Sequence, residues 1–206
     1  MRPILPVLLL LSLFAGCSDK PGAESGMMTL TPASKTFMNS DVTGLGYARD
    51  FALNDQDGKP RTLADFKGKA VVIFFGYTHC PDVCPTTMSE MAAVMKQLGP
   101  DAEKVQVLFV TVDPERDTPA LLKQYVPAFD PRFIALSGDQ EATAKVAKEF
   151  RVFYQKVPGK EAGSYTVDHT AASYVFDPQG RVRLFVRHGQ GPEPIAQDLK
   201  VLLSGK

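Results

Sequence analysis

Apolar runs alternate with stretches of helical period along most of the chain. Residues 70–75 and 105–112 are almost uniformly apolar, which predicts strands with no solvent-facing side. Residues 133–136 predict a third short strand. Residues 173–187 predict a late β-hairpin with a tight turn at 177–180, which is expected to add antiparallel edge strands.

Between these strands, apolar positions three and four residues apart predict helices. The most regular apolar face lies within residues 85–98 and consists of Met88, Met91, Ala92, Met95 and Leu98. Because this methionine stripe follows the helical period, it is interpreted as core and not as a set of metal ligands. Further helices are predicted over residues 120–126, 139–150 and 192–203.

Two weaker patterns complete the outline of the fold. An Asp57-Gly58 turn between strand-like arms predicts a hairpin over residues 51–62. Residues 152–157 predict one further strand, followed by a polar loop at 160–165. This order of elements predicts an α/β fold in which helices cover a partly parallel sheet on both faces.

Two cysteines, Cys80 and Cys84, lie in the loop between the first apolar strand and the methionine-rich helix. Pro85 has a φ suited to the first helical position, which makes Cys84 the predicted N-cap. Both sulfurs would then lie near the positive end of the helix dipole, which favours thiolate over thiol. A cysteine loop in this place also matches thioredoxin-like proteins. The predicted fold class is therefore α/β and thioredoxin-like, with a central mixed sheet flanked by helices and an N-terminal β-hairpin.

Two kinds of chemistry fit this cysteine pair: dithiol–disulfide exchange and binding of a soft ion such as Cu(I). Three residues separate the cysteines, where the common redox motif has two, and this favours metal binding. Asp82, which lies between them, would oppose thiolate formation if it pointed inward. An inert disulfide staple is the weakest interpretation, because closing so short a loop gains little stability.

A third ligand for such a metal site would have to come from a histidine. His79 adjoins Cys80, and its ring is expected to diverge from the thiolates. His188 ends a strand-like stretch, where an exposed or capping role is expected. His169 lies far from the cysteines in sequence, so spacing alone leaves it only a candidate.

Three separated motifs together resemble the SCO/SenC family. They are residues 76–85 (GYTHCPDVCP), residues 112–119 (VDPERDTP), and residues 168–170 (DHT) followed by residues 174–180 (YVFDPQG). The resemblance extends from about Tyr47 to Leu203. It implies a thioredoxin-like fold with copper ligands at Cys80, Cys84 and His169.

The resemblance also implies a function, namely a Cu(I) chaperone that delivers copper to, or matures, the dinuclear copper centre of cytochrome c oxidase. Cu(II) is a second candidate ion. The implied partners are the copper-bearing subunit of the oxidase and a periplasmic copper donor or thiol reductant. Asp113, Glu115, Arg116 and Asp117 in the second motif are interpreted as turn and helix-capping residues with a docking face.

Two enzymatic alternatives stay open beside this metallochaperone role. In the first, Cys80 and Cys84 are the redox pair of a thiol-disulfide oxidoreductase that reduces a copper-site apoprotein without carrying metal. A thiol peroxidase is the weaker alternative. Tyr77 stands three residues before the first cysteine, where peroxiredoxins show a threonine.

Charge and the N-terminal segment bear on partners and location. The 206 residues include 23 Lys and Arg against 23 Asp and Glu with no long block of one sign, so a nucleic-acid partner is not predicted. The N-terminal segment has the features of an export signal, namely Arg2, an apolar run over residues 4–14 and a small-residue pair before Cys17. This segment resembles the lipobox of bacterial lipoproteins, in which the cysteine is lipid-modified.

The predicted organisation follows from that segment and from the stretch of small and polar residues after it. It consists of a lipoprotein-type signal peptide at 1–16, a flexible tether at 17–46 and a thioredoxin-like copper-binding domain at 47–206. The domain is expected on the periplasmic side of a bacterial membrane, anchored by lipid. Ordinary signal-peptidase cleavage and an uncleaved N-terminal anchor are the alternatives to lipidation at Cys17.

The lipobox resemblance predicts that the mature chain begins at Cys17 and carries lipid there. Mass spectrometry of the intact membrane-extracted protein measures this, and a Cys17→Ser variant is expected to lose the lipid mass. An uncleaved chain, or a mature chain with unmodified Cys17, would refute the prediction.

Overall fold

The computed structural model describes residues 37–205, and within them strands and helices alternate largely as the hydrophobic pattern predicts. The strands are β1 Ser40–Asp41, β2 Ala52–Asp55, β3 Pro60–Thr62, β4 Ala70–Gly76, β5 Val105–Thr111, β6 Ile134–Ser137, β7 Tyr154–Pro158, β8 Tyr165–His169, β9 Ala172–Phe176 and β10 Val182–Arg187. The helices are α1 Val83–Leu98, α2 Pro119–Tyr125, α3 Gln140–Glu149 and α4 Pro192–Leu203. Among these residues no helix is both long and apolar enough to cross a bilayer.

Eight strands form one mixed sheet in the order β1-β10-β9-β4-β5-β6-β2-β3. At its centre β4 runs parallel to β5 and antiparallel to β9, and β5 runs parallel to β6. Every residue of β4 and β5 is buried, as their uniformly apolar sequences predict. The predicted thioredoxin-like α/β fold with an N-terminal hairpin, formed by β2 and β3, is confirmed.

Alternate side chains of β4 point into two different helical layers. Phe74 lines a small cavity with Met91 of α1 and Ile195 of α4, which places those helices on its side of the sheet. Phe75 points to the other side, where its ring centroid lies 5.2 Å from that of Phe150 at the end of α3. Buried side chains therefore cover both faces of β4.

The methionine stripe of α1 belongs to this core. Met88, Met91 and Met95 are each no more than 1% exposed, and the stripe packs beneath the sheet as its helical period predicts. This confirms the interpretation of these methionines as packing residues.

The late hairpin occupies a different place from the one predicted. β9 pairs with β4 near the middle of the sheet, and it is β1 and β3 that form the two edges. The prediction of late edge strands was therefore wrong. The physical reason is that β9 is buried along its whole length, which suits a central position better than an edge.

A second sheet, formed by β7 and β8 alone, was only half predicted. β7 lies close to the predicted strand, but β8 begins at Tyr165, where a polar loop was expected to end, and it pairs antiparallel with β7. Only Val167 of β8 is buried, so this strand has almost no apolar pattern to reveal it. We call this pair the His169 hairpin, because β8 ends at His169.

The globular domain begins earlier than the predicted boundary at residue 47. Phe37 and Asn39 are 3% and 5% exposed, and β1 pairs with β10, so the start of the described residues packs on the domain although it lies within the predicted tether. A strand of two residues is too short to show a pattern in the sequence. The predicted signal peptide, Cys17 and the tether up to residue 36 lie outside the described residues.

A buried carboxylate holds this N-terminal segment in place. Asp198 of α4 accepts hydrogen bonds from the backbone nitrogens of Met38 and Asn39, at 2.7 and 2.9 Å, and from the Asn39 side-chain amide at 2.8 Å. Three donors to one ionised acceptor form a strong local anchor.

We expect Asp198→Ala to lower the free energy of unfolding by about 2–4 kcal/mol, because buried N–H groups would lose a charged acceptor. Urea denaturation measures this change. The matched control is Asp101→Ala, which removes an exposed ion pair with Lys104 and should cost under about 1 kcal/mol. Equal losses in the two variants would contradict the anchor.

Candidate metal centre

The site begins where β4 ends, at Gly76. A Cβ atom on this residue would lie 2.8 Å from a ring carbon of Phe74 and 3.0 Å from Sγ of Cys84. Contacts this short are not tolerated in a packed core. The glycine is therefore what makes room for the buried sulfur of Cys84 beneath the end of the strand.

The helix after the cysteine loop starts two residues earlier than predicted. Asp82 is the N-cap and α1 begins at Val83, so Cys84 and Pro85 are its second and third residues and the prediction that Cys84 is the N-cap was wrong. Proline is accepted here because the first four N–H groups of a helix have no partner within the helix. The free N–H of Cys84 instead donates to Sγ of Cys80 at 3.4 Å.

The fold brings His169 to this cysteine pair. Its Nε2 lies 3.4 Å from Sγ of Cys84, and the ligand atoms of Cys80, Cys84 and His169 all lie within 4.8 Å of one another. Cys80 and Cys84 are free thiols, with Cys80 partly exposed and Cys84 buried. Two sulfurs and one imidazole nitrogen therefore converge on one point.

The second ring nitrogen of His169 sets its tautomer. Nδ1 lies 3.2 Å from the carbonyl oxygen of Thr170, and since a carbonyl can only accept, Nδ1 carries the proton. Nε2 then has a lone pair that faces the two sulfurs, as a metal ligand requires. Tyr77 and Phe74 hold the ring edge-on, with centroids 5.8 and 6.1 Å away.

The other two histidines stay outside the group, as expected from the sequence. The half-exposed ring of His79 directs Nδ1 toward the hydroxyl of Thr78 at 3.0 Å and away from the sulfurs. The exposed His188 places Nδ1 3.0 Å from the hydroxyl of Thr87 on α1.

Burial shifts the pKa values of two of the three candidate ligands, Cys84 and His169. Desolvation raises the pKa of the Cys84 thiol well above its ordinary value, so the predicted preference for thiolate is wrong for this residue. Desolvation also lowers the pKa of His169, which keeps the imidazole neutral. A metal ion that binds here must therefore displace a proton from Cys84, but none from His169.

Asp117, in the second motif, holds the cysteine loop in place through hydrogen bonds. Asp117 is 1% exposed, and its carboxylate accepts hydrogen bonds from the backbone nitrogen and hydroxyl of Thr78, at 3.1 and 2.5 Å, and from the Thr111 hydroxyl at 2.6 Å. Burial raises the pKa of Asp117. The predicted capping role belongs to Thr118, which accepts from the Leu121 backbone nitrogen.

The sequence contained one signal for this supporting role. Asp113 and Asp117 lie two and six residues after the end of β5, and because β4 and β5 are parallel, both strands end at the same edge of the sheet. Polar residues after adjacent parallel strands are brought together there. Asp113 accordingly accepts the hydroxyl of Tyr165, on the His169 hairpin, at 2.9 Å.

Comparison with known proteins finds one family. Residues 42–204 match the family model described as SCO1/SenC. The chain is similar to the SCO2-like protein of Rickettsia felis, with 31% identity over 201 residues that cover 96% of each protein. The mitochondrial SCO2 homolog of Mus musculus shares 39% identity over 153 residues, or 73% of this chain. That match covers 60% of the mouse protein, so the chain spans less than two thirds of this relative's length.

A solved structure has the same fold. The structure of Bradyrhizobium japonicum ScoI with copper bound is similar to this chain with a TM-score of 0.68 and 50% sequence identity. The match covers 73% of this chain and 96% of the solved one.

The unequal exposure of the two cysteines predicts unequal reactivity. Under reducing conditions we expect iodoacetamide to modify Cys80 at least about tenfold faster than Cys84, because access and thiolate character both limit alkylation. Peptide mapping by mass spectrometry over a time course measures both rates. In a Cys80→Ser control, Cys84 should stay protected, and rapid labelling of Cys84 in folded protein would contradict its burial.

Proposed function

Because the chain belongs to the SCO1/SenC family, we propose that it is a copper chaperone that carries Cu(I) on Cys80, Cys84 and His169. It delivers the ion to, or matures, the dinuclear copper centre of cytochrome c oxidase. The observation that carries the proposal is the convergence of the three ligand atoms within 4.8 Å. Copper in the similar ScoI structure supports the same assignment.

The donor set suits a soft ion of low coordination number. Thiolate sulfur selects Cu(I) over hard cations, and imidazole is compatible with it. Phe74 and Tyr77 cover the imidazole, while Gly76 leaves space beside the Cys84 sulfur, so the ligands approach from an apolar wall. Such surroundings favour a complex of low net charge over a hydrated divalent ion.

The difference in burial between the sulfurs suggests a direction for transfer. Cys80 is partly exposed and Cys84 is buried, so an incoming thiolate of a partner reaches the site on the Cys80 side. Exchange of ligands there would leave Cys84 and His169 in place until the last step. The protein thus needs no large opening to load or release its cargo.

Metal carriage and thiol chemistry are coupled, because Cys80 and Cys84 serve both. Exchange with the disulfide of another protein would oxidise the Cys80–Cys84 pair, reduce that disulfide to two thiols, and remove two of the three ligands. A reductant is then required before copper can bind again. The redox state of the pair therefore acts as a switch on the site.

The same difference in burial also favours a second candidate function, a thiol-disulfide oxidoreductase. Cys80, as thiolate, would attack a disulfide of the target protein and release one target thiolate. Cys84 would then displace the second target sulfur, so the target gains two electrons and the Cys80–Cys84 disulfide forms. The plausible target is a copper-site apoprotein, whose cysteines must be reduced before they bind metal.

The proposed location and partners follow from the N-terminal sequence and the family. Lipid at Cys17 would anchor the domain at the periplasmic side of a membrane, next to the copper-bearing subunit of the oxidase. A copper donor or thiol reductant in the same compartment would load or reduce the site. Exposure to an oxidising compartment would explain why a reductant is needed.

The test that separates the two functions is the His169→Ala variant. We expect it to weaken Cu(I) binding at least tenfold, or by about 1.4 kcal/mol or more, while dithiol–disulfide exchange is largely kept. Competition with a chromophoric Cu(I) chelator measures the affinity, and His188→Ala is the matched control, expected to change it less than twofold.

The oxidised protein provides the second control, since it should bind Cu(I) far more weakly than the reduced protein. If His169→Ala leaves Cu(I) affinity unchanged, the site with three ligands is wrong. If the reduced protein exchanges disulfides but binds no Cu(I), the oxidoreductase is the better assignment.

A further inference from the structure

The position of His169 depends on side-chain contacts at the hairpin that carries it. Within residues 37–205, β7 and β8 pair only with each other and not with the eight-stranded sheet. Their backbone hydrogen bonds therefore fix the shape of the hairpin but not its place on the domain. Val167 is the one buried side chain of β8, Tyr154 and Tyr165 pack against the core while partly buried, and polar contacts add to this attachment.

We propose that Arg116 is a positioning residue that holds the His169 hairpin against the cysteine loop and so places the third metal ligand. This inference rests on the proposed copper-binding function, because it assumes that His169 is a ligand. Arg116 is not one of the three candidate ligands, which are Cys80, Cys84 and His169. Its effect on the metal would be exerted through the strand.

Arg116 contacts Tyr165, the first residue of β8, in two ways. Its guanidinium carbon lies 3.6 Å from the ring centroid of Tyr165, and its Nη1 donates to the Tyr165 carbonyl oxygen at 2.9 Å. One residue is therefore held both by its ring and by its backbone. A planar guanidinium can stack and donate at the same time, which an ammonium group cannot reproduce.

Asp113 closes this contact into a small network. Its buried carboxylate accepts from Nε of Arg116 at 2.5 Å and from the hydroxyl of Tyr165 at 2.9 Å. Arg116 and Tyr165 are thus joined directly and also through Asp113, which lies two residues after the end of β5. The network ties the hairpin to the rigid centre of the sheet.

The other side of Arg116 faces the cysteine loop. Its guanidinium carbon lies 5.8 Å from the ring centroid of Tyr77, and the Tyr77 ring in turn packs edge-on against His169. Its Nη2 is buried without a hydrogen-bond partner among the residues that the structure describes. Stacking and the pairing with Asp113 therefore set the position of this side chain.

A double-mutant cycle tests whether Arg116 acts through His169. It compares Cu(I) affinity in wild type, Arg116→Ala, His169→Ala and the double variant, each in the full-length reduced protein. We expect Arg116→Ala to weaken binding about tenfold in the wild-type background and less than about twofold in the His169→Ala background. Urea denaturation of each variant separates a loss of folding from a loss of the ligand.

Two further variants separate geometry from charge and from general ion-pair loss. Arg116→Lys keeps the positive charge without the planar stack, so we expect it to bind Cu(I) as weakly as Arg116→Ala. Arg132→Ala removes a comparable ion pair, with Asp130, at a site remote from the cysteines, and should leave Cu(I) affinity unchanged within twofold.

X-ray absorption at the copper edge provides a readout that lost stability does not move. The imidazole scattering expected for the wild-type Cu(I) protein should weaken in Arg116→Ala and Arg116→Lys and persist in Arg132→Ala. An equal tenfold loss in the His169→Ala background, or full rescue by lysine, would overturn the proposal. So would an Arg116→Ala variant with unchanged Cu(I) affinity.

The results also distinguish this proposal from the function on which it rests. If His169→Ala weakens Cu(I) binding and Arg116→Ala does not, the copper site stands and the positioning role fails. If His169→Ala itself has no effect, the three-ligand site fails and the role of Arg116 fails with it.

Discussion

The parallel pairing of β4 with β5 is the constraint on which the rest of the site depends. It brings the carboxyl ends of two buried strands to one edge, so that the loop of Cys80 and the turn from Asp113 to Asp117 become neighbours. The hydrogen bonds of Asp117 to Thr78 then fix the cysteine loop from the adjacent strand. The residues of the site lie on two separate loops, and both loops are held by the same rigid pair of strands.

Burial gives the site its character as a metal centre. A thiol and an imidazole lying in an apolar wall are both held neutral, because desolvation penalises the thiolate and the imidazolium alike. A soft cation relieves that penalty when it takes the place of the thiol proton. Two exposed thiolates at a helix start would have suited rapid disulfide exchange better. The observed arrangement is a compromise between disulfide exchange and metal binding.

The proposed third ligand, His169, lies on a strand outside the eight-stranded sheet. His169 stands at the end of a two-stranded sheet and shortly before β9, whereas Cys84 lies in the first turn of a helix packed under the core. Small side-chain networks, such as that of Arg116, Asp113 and Tyr165, must therefore supply the rigidity that the sheet does not.

Local pattern alone determined a large part of this protein. The uniformly apolar runs specified the central strands, the period of Met88, Met91 and Met95 specified a packed helix, and the Cys80–Cys84 spacing with the family motifs pointed to a copper site that includes His169. Tertiary structure decided the rest: the strand that carries His169, the N-terminal segment held by Asp198, the protonation of Cys84 and the roles of Asp117 and Arg116. These features depend on desolvation and on contacts between residues far apart in sequence, and neither leaves a periodic trace in the chain.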